Sequence, residues 1–280
     1  MERVDTVSQM RTLSSRFRAD GGAISLVPTM GALHAGHEAV IRAAKGAGDR
    51  VVVSIFVNPL SFGSNENYGG YPRRLEADLA VCERLEVDAV FAPSAEEMYP
   101  KGYSTFVAEE AYSKPLCGIS RPTHFRGVTT VTAKLFNIIH PDRVFLGQKD
   151  AQHVAVMRKM AADLNYGVSF FVVPTVRESD GLAVAVRNGD LTPPLRHEAL
   201  AVSASLRRAK EMVDSGVRNS DRLVAEVTHL LGQHNRVRLI YASVVDRDTM
   251  EAVREAVPGR SMLSIAAWVN EVRLTDNALL

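Results

Sequence analysis

The chain has 280 residues, with 33 Lys plus Arg against 32 Asp plus Glu and a formal net charge of +1, so electrostatics give no reason to invoke nucleic acid or a membrane surface as a partner. A hydrophobic fraction of 46% and a charged fraction of 23% are those of a globular protein able to bury its own core, as one large domain or one medium and one small domain. Cys82 and Cys117 form neither a metal pattern nor a disulfide framework and read as reduced thiols of a cytoplasmic protein, and no stretch approaches the roughly 20 apolar residues of a transmembrane helix.

The start, MERVDTVSQMRTLSSRFR, is polar and basic and reads as an amphipathic helix rather than a signal segment. AISLVPTM (residues 23–30) is a buried strand, HEAVIRAAKGAG a helix, and RVVVSIFVNP (50–59) a second strand. A Gly/Asn-rich loop leads to the helix RRLEADLAVCERLE and the strand DAVFAP (88–93). GVTTVTAKLFNII is an apolar helix, DRVFLG (142–147) a strand, DAQHVAVMRKMAADLN a helix and VSFFVVPTVR a strand. Continuous β-branched runs indicate strands buried on both faces. Their alternation with helices predicts an α/β fold, a doubly wound parallel sheet. Such sheets bind ligands beyond the carboxyl ends of their strands.

After about Arg187 the pattern changes. The paired prolines of LTPPLRHEAL break the chain, two amphipathic helices follow, and RLIYASVVD and SMLSIAAWVNEVRLTDN are strand candidates. This predicts a first domain over 1–187 and a smaller C-terminal α+β domain over 188–280, with the cleft between them as a ligand site.

Four segments carry chemistry. In PTMGALHAGH (28–37) a strand ends at Met30, Gly31 permits a sharp turn, and a helix starts near Gly36. Such a turn offers backbone N–H groups and a helix positive end to an anion. His34 and His37, three apart, share a helix face and can stabilise charge growing on a polyphosphate under attack. Metal binding competes, but no third ligand is near and catalytic zinc usually has three. Two surface loop histidines are the bland alternative. In LGQKD (146–150), Lys149 can meet a phosphate as a point charge and Asp150 is a fair N-cap. In RESDGLAVAVRN (177–188), SDG is a turn and Arg187 could clamp a phosphate or stack on adenine, or the segment is a linker. In SRPTHFRGV (120–128), Arg121 and His124 precede an apolar helix, where carboxylate binding and simple capping are equal alternatives. Together, a His pair, a Lys and an Arg at successive strand ends point to a nucleoside triphosphate site.

These segments, with FVNPLSF, YPRRLEADL, DRVFLGQKDAQ, VPTVRESDGLA and RLTDN in the same order, resemble the pantothenate synthetase family of HxGH nucleotidyltransferases over nearly the whole chain. The resemblance implies a Rossmann-like ATP domain, a C-terminal lid domain and a homodimer. It implies ATP with Mg²⁺, and small carboxylic acid and amine substrates joined as an amide through an acyl-adenylate, with pyrophosphate and then AMP released. In the family these substrates are pantoate and β-alanine. It assigns Pro28, Thr29, Met30, Gly31, His34, Gly36, His37, Gly147, Lys149, Asp150, Val176 and Arg187 to the nucleotide. Of these, His34, His37, Lys149 and Arg187 would be catalytic, and no metal ligands are assigned. Asn58, Ser61, Arg121, His124, Gln152 and His153 would line the acid pocket.

Five positions depart from the family pattern. Ser61 and His153 stand where two glutamines are expected to hydrogen-bond pantoate, Ala185 and Val186 replace two serines expected near the phosphates, and Asn67 stands where aspartate is usual. Serine cannot span the gap of a glutamine and histidine has a different donor pattern. An unpaired buried hydroxyl costs roughly 1–3 kcal/mol. The expectation from sequence is therefore an adenylating ligase whose acid is not pantoate. The alternatives are an authentic pantothenate synthetase and a nucleotide-binding pseudoenzyme.

Overall fold

The apolar runs do lie side by side. The computed structural model describes residues 1–63 and 66–280, so Ser64 and Asn65 of the Gly/Asn-rich loop lie outside it. Strands β1 (Glu2–Val4), β2 (Ile24–Thr29), β3 (Arg50–Ile55), β4 (Ala89–Phe91), β5 (Arg143–Gly147) and β6 (Ser169–Val173) form one sheet in the order β1-β4-β3-β2-β5-β6, every neighbouring pair parallel. Helices α1 (Val7–Ala19), α2 (Ala35–Gly46), α3 (Leu75–Arg84), α4 (Ala95–Met98), α5 (Cys117–Ser120), α6 (His124–Ile139) and α7 (Ala151–Asp163) occupy the intervening segments.

Successive strand residues point to opposite faces, and both faces are covered. Leu26, Val52, Phe91 and Val144 pack with Met10 and Phe17 of α1 and Phe136 and Ile139 of α6. Val27, Val53, Val90 and Phe145 pack with Val40 and Ile41 of α2 and Cys82 of α3. This is the doubly wound arrangement expected, and it is why these strands read as unbroken apolar runs.

Two ends of the sheet differ from expectation. The first residues form an edge strand before α1, too short at three residues for a period to show. Strand β6 is an edge strand, not one buried on both faces: Phe171 and Val172 are exposed, and Phe171 stacks on Phe145.

From β2 the order runs one way through β3 and β4 and the other way through β5 and β6. The β2/β5 boundary is thus the topological switch point, where such sheets leave a crevice at the strands' carboxyl ends. Leu26 pairs with Val144, and that register carried on sets Gly147 level with Thr29. The PTMGALHAGH turn and the LGQKD segment therefore leave the sheet at its switch point.

A second contact unit comprises residues 111–120, 148–155 and 175–280. In it β7 (Val237–Asp246), β8 (Ser261–Val269) and β9 (Val272–Leu279) form an antiparallel sheet. Helices α8 (Pro193–Asp214) and α9 (Ser220–Gly232) cover it through Val202, Leu206, Leu223 and Val227 against Val244, Leu263 and Ile265. The paired prolines begin α8, occupying its first turn after the N-cap Thr192, where their missing N–H groups are not needed. The unit's longest segment runs from Thr175 to Leu280. Arg177 forms a two-pronged ion pair with Asp276 of β9 (2.7 and 3.1 Å), and Leu182 packs with Leu274. Those partners lie about a hundred residues on, beyond any local pattern.

Candidate functional site

The turn after β2 is built residue by residue. The Thr29 hydroxyl donates to the Ser54 carbonyl (2.8 Å) and accepts the Gly31 N–H (3.2 Å). Gly31 (φ 79°) and Ala32 (φ 51°) are both left-handed, a pair of conformations that reverses the chain sharply and favours glycine. The next two N–H groups are taken by a residue absent from the expected site. Ala32 N–H donates to Asp78 Oδ2 (2.9 Å) and Leu33 N–H to Asp78 Oδ1 (2.7 Å).

His34 is the N-cap of α2. Its Nδ1 accepts the Gly36 N–H (3.1 Å), and its own N–H donates to His37 Nδ1 (3.3 Å). This is a capping box made of two imidazoles. It explains the spacing of three: one ring is the cap, the other the third helical residue. The ring centroids are 4.0 Å apart. Because both Nδ1 atoms accept, each neutral ring carries its proton on Nε2, as a hydrogen-bond donor held by the backbone. Pro28 stands opposite Ser54 in the sheet and Met30 is half-buried. At Gly147 no protein atom lies within 4 Å of an added Cβ.

Asn58, Ser61, Arg121 and His124 also converge, chiefly on one another. Asn58 is 2% exposed. Its Nδ2 donates to Ser61 Oγ (2.7 Å) and the Gly127 carbonyl (2.9 Å), while its Oδ1 accepts from Leu60 N–H (3.2 Å) and Tyr99 Oη (2.9 Å). An amide has two donors and two acceptor sites, so this one is fully committed to the protein. Asn58 acts here as a brace of the 3₁₀ turn Pro59–Ser61. The brace is needed because α6 comes so close that a Cβ at Gly127 would lie 2.2 Å from the Leu60 carbonyl oxygen. The Ser61 carbonyl accepts from Arg121 Nη2 (3.0 Å) and His124 Nδ1 (2.8 Å). A carbonyl can only accept, so His124 bears its proton on Nδ1. Arg121 also grips Glu66 with Nε (2.6 Å) and Nη2 (2.7 Å). Its guanidinium thus already holds a carboxylate of the chain itself.

The remaining candidates belong to the second unit. Lys149 Nζ donates to Thr275 Oγ1 (3.4 Å) and lies 3.9 Å from the carboxylate of Asp150. Buried Gln152 is saturated in the manner of Asn58. Its Oε1 accepts the Cys117 N–H (3.0 Å) and its Nε2 donates to the carbonyls of Tyr112 (3.0 Å) and Pro115 (2.6 Å). It ties down a strap, residues 112–117. His153, next on α7, is half-buried. The SDG turn forms, with Gly181 N–H donating to the Glu178 carbonyl (2.9 Å) and Val184 N–H to the Val176 carbonyl (3.0 Å). Arg187 is exposed and paired with Asp190 (3.3 Å).

Chemically, the first unit supplies imidazole Nε2–H donors at a helix N-terminus beside the switch point. The second supplies an ammonium two residues past β5. Imidazole donors at a helix N-terminus suit a polyphosphate. Among the described residues no group of three or more His, Cys, Asp or Glu could hold a metal ion. No helix of the described residues is long and apolar enough to cross a membrane. Asp78, Glu66 and Tyr99 escaped the sequence reading because their roles rest on partners 41 to 55 residues distant.

Comparison with known proteins agrees over the whole chain. The family model described as "Pantoate-beta-alanine ligase" matches residues 2–279. The chain is 47% identical over 280 residues to a pantothenate synthetase of Thermotoga neapolitana, covering 100% of both chains. It is 44% identical over 280 residues to that of Moorella thermoacetica, covering 100% of this chain and 99% of the other. The crystal structure of pantothenate synthetase from Thermus thermophilus superposes with a TM-score of 0.93 at 38% identity, covering 100% of this chain and 99% of that one. A pantoate-beta-alanine ligase from Francisella tularensis, solved with "Beta-gamma ATP and Beta-alanine", gives a TM-score of 0.82 at 30% identity, covering 100% and 97%.

Proposed function

The chain belongs to the pantoate-beta-alanine ligase family, and from that premise we propose that it is an ATP-dependent, AMP-forming ligase whose own substrates are pantoate and β-alanine. The pantoate carboxylate attacks the α-phosphorus of ATP, forming a mixed anhydride and expelling pyrophosphate. The amine of β-alanine then attacks the acyl carbon, forming the amide and releasing AMP. His34 and His37 donate Nε2–H bonds to the phosphates as charge grows on the leaving pyrophosphate. Lys149 adds a point charge, and Arg187, drawn from Asp190, a second. Gly147, Asp150 and Val176 border the nucleotide. Mg²⁺ would arrive on the ATP phosphates, as it commonly does with few protein ligands. The protein would act as a homodimer.

The observation that carries this reading is the unbroken likeness to pantothenate synthetases along the full chain. The expectation of a different acid, drawn from Ser61 and His153, receives no support from it. The Ser61 hydroxyl is buried and accepts from Asn58, leaving its proton to donate to an acid. Arg121, if released by Glu66, can pair with a carboxylate. ATP–pyrophosphate exchange across a panel of hydroxy acids is the test. Pantoate should drive exchange best. Preference for another acid restores the first expectation, and exchange with no acid at all supports a pseudoenzyme.

A further inference from the structure

We propose that Asp78 is a positioning residue for the adenylation step, holding the turn that aims His34 and His37. The inference rests on the reading of that turn as the ATP site. Asp78 is the fourth residue of α3 and only 3% exposed. Its two hydrogen bonds leave its own helix and reach across to a segment 46 residues earlier in the chain. Both carboxylate oxygens are spent on consecutive N–H groups, those of Ala32 and Leu33. Among the described residues no Arg, Lys or His pairs with it. A buried carboxylate without a cation is a poor stabiliser, since apolar replacements of buried charges are often neutral or better. What it secures here is geometry.

That geometry is disfavoured locally. Ala32 is left-handed directly after left-handed Gly31, a conformation that a residue with a Cβ avoids. The carboxylate sits so tightly that a Cβ at Gly31 would lie 2.9 Å from Asp78 Oδ2. The next residue after the clamped N–H of Leu33 is His34, whose own N–H holds His37 Nδ1. Relaxation of Ala32 toward negative φ would turn the peptide planes before His34 and misdirect both rings. Asp78 reaches the phosphates only through this relay.

The decisive experiment compares wild type, Asp78→Asn and Ala32→Gly singly and combined. Asparagine keeps one acceptor but opposes the second N–H with a donor. We expect Asp78→Asn to lower kcat for pantoate-dependent ATP–pyrophosphate exchange roughly 10- to 100-fold while KM for ATP moves less than about three-fold. In the Ala32→Gly background, where the left-handed turn carries no Cβ penalty, the cost of Asp78→Asn should shrink at least about three-fold. Gly31→Ala, which pushes on the same contact from the other side, should reproduce the kcat loss if Asp78→Asn does not fold. Imidazole ¹⁵N spectra of wild type and the Asp78 variant should show His34 and His37 losing their shared Nε2–H tautomer pattern, a readout needing no substrate. Full exchange activity, a loss confined to KM, or the same loss in both backgrounds would overturn the proposal. Wild type inert with pantoate, but with the spectral change intact, would instead refute the substrate reading alone.

Discussion

Replacing Asn58 by alanine separates two accounts of this residue. Family resemblance puts it in the acid pocket, whereas its hydrogen bonds make it a brace of the 3₁₀ turn. All four of its bonds end on protein: Ser61 Oγ, the Gly127 carbonyl, Leu60 N–H and Tyr99 Oη. Alanine strands at least the Gly127 carbonyl and the Tyr99 hydroxyl. Each buried group left without a partner costs about 1–3 kcal/mol, so the two together cost about 3 kcal/mol. For a chain of this size each kcal/mol lowers Tm by about 2–4 °C, giving a fall of about 6–12 °C. Thermal unfolding followed by circular dichroism measures it, with KM for pantoate measured below the transition. An unchanged Tm with only KM raised would refute the brace and return Asn58 to the ligand.

Three further outcomes follow. Gln152→Leu keeps the volume but cuts three bonds to the strap at 112–117. The Cys117 amide should lose about 1–3 kcal/mol of hydrogen-exchange protection, and unchanged protection would mean the strap is held otherwise. His37→Ala should suppress pyrophosphate exchange about 100-fold while weakening ATP binding far less, since its bond strengthens only as charge develops; equal losses would mark a ground-state contact. Burial, aided by the charge of Asp78, pushes the Cys82 thiol from 9.0 up to about 12. The unfolded thiol ionises first, so Cys82 stabilises fully below pH 9 and that contribution is lost as pH rises from 9 to 12. Urea denaturation should show the wild type losing about 1.4 kcal/mol more per pH unit than Cys82→Ala in that window. Parallel slopes would contradict it.

What could be read from sequence was what is local. The central strands announced themselves because they are covered on both faces, and the His pair because its spacing of three is set by one helix turn. Edge strand β6 carries the same composition as the centre, so Phe171 and Val172 read as buried when they are exposed. The prolines at 193 and 194 read as a break because proline ends helices as well as starting them. Asn58 and Gln152 read as ligand groups, but an amide's partners cannot be seen from its type: in the fold Asn58 also holds Ser61, Tyr99 and the Gly127 carbonyl, and Gln152 holds the backbone of the strap. Asp78 is one acid within a predicted helix, and only the folded chain shows its carboxylate on Ala32 and Leu33.

The central claim is the identity of the two substrates. Product analysis by mass spectrometry, with AMP counted in the same reaction, tests it on purified protein given ATP, Mg²⁺, pantoate and β-alanine. One pantothenate per AMP, with no amide when either organic substrate is withheld, is the predicted result. AMP formed more efficiently with another acid, or pantoate consumed without an amide, would contradict it.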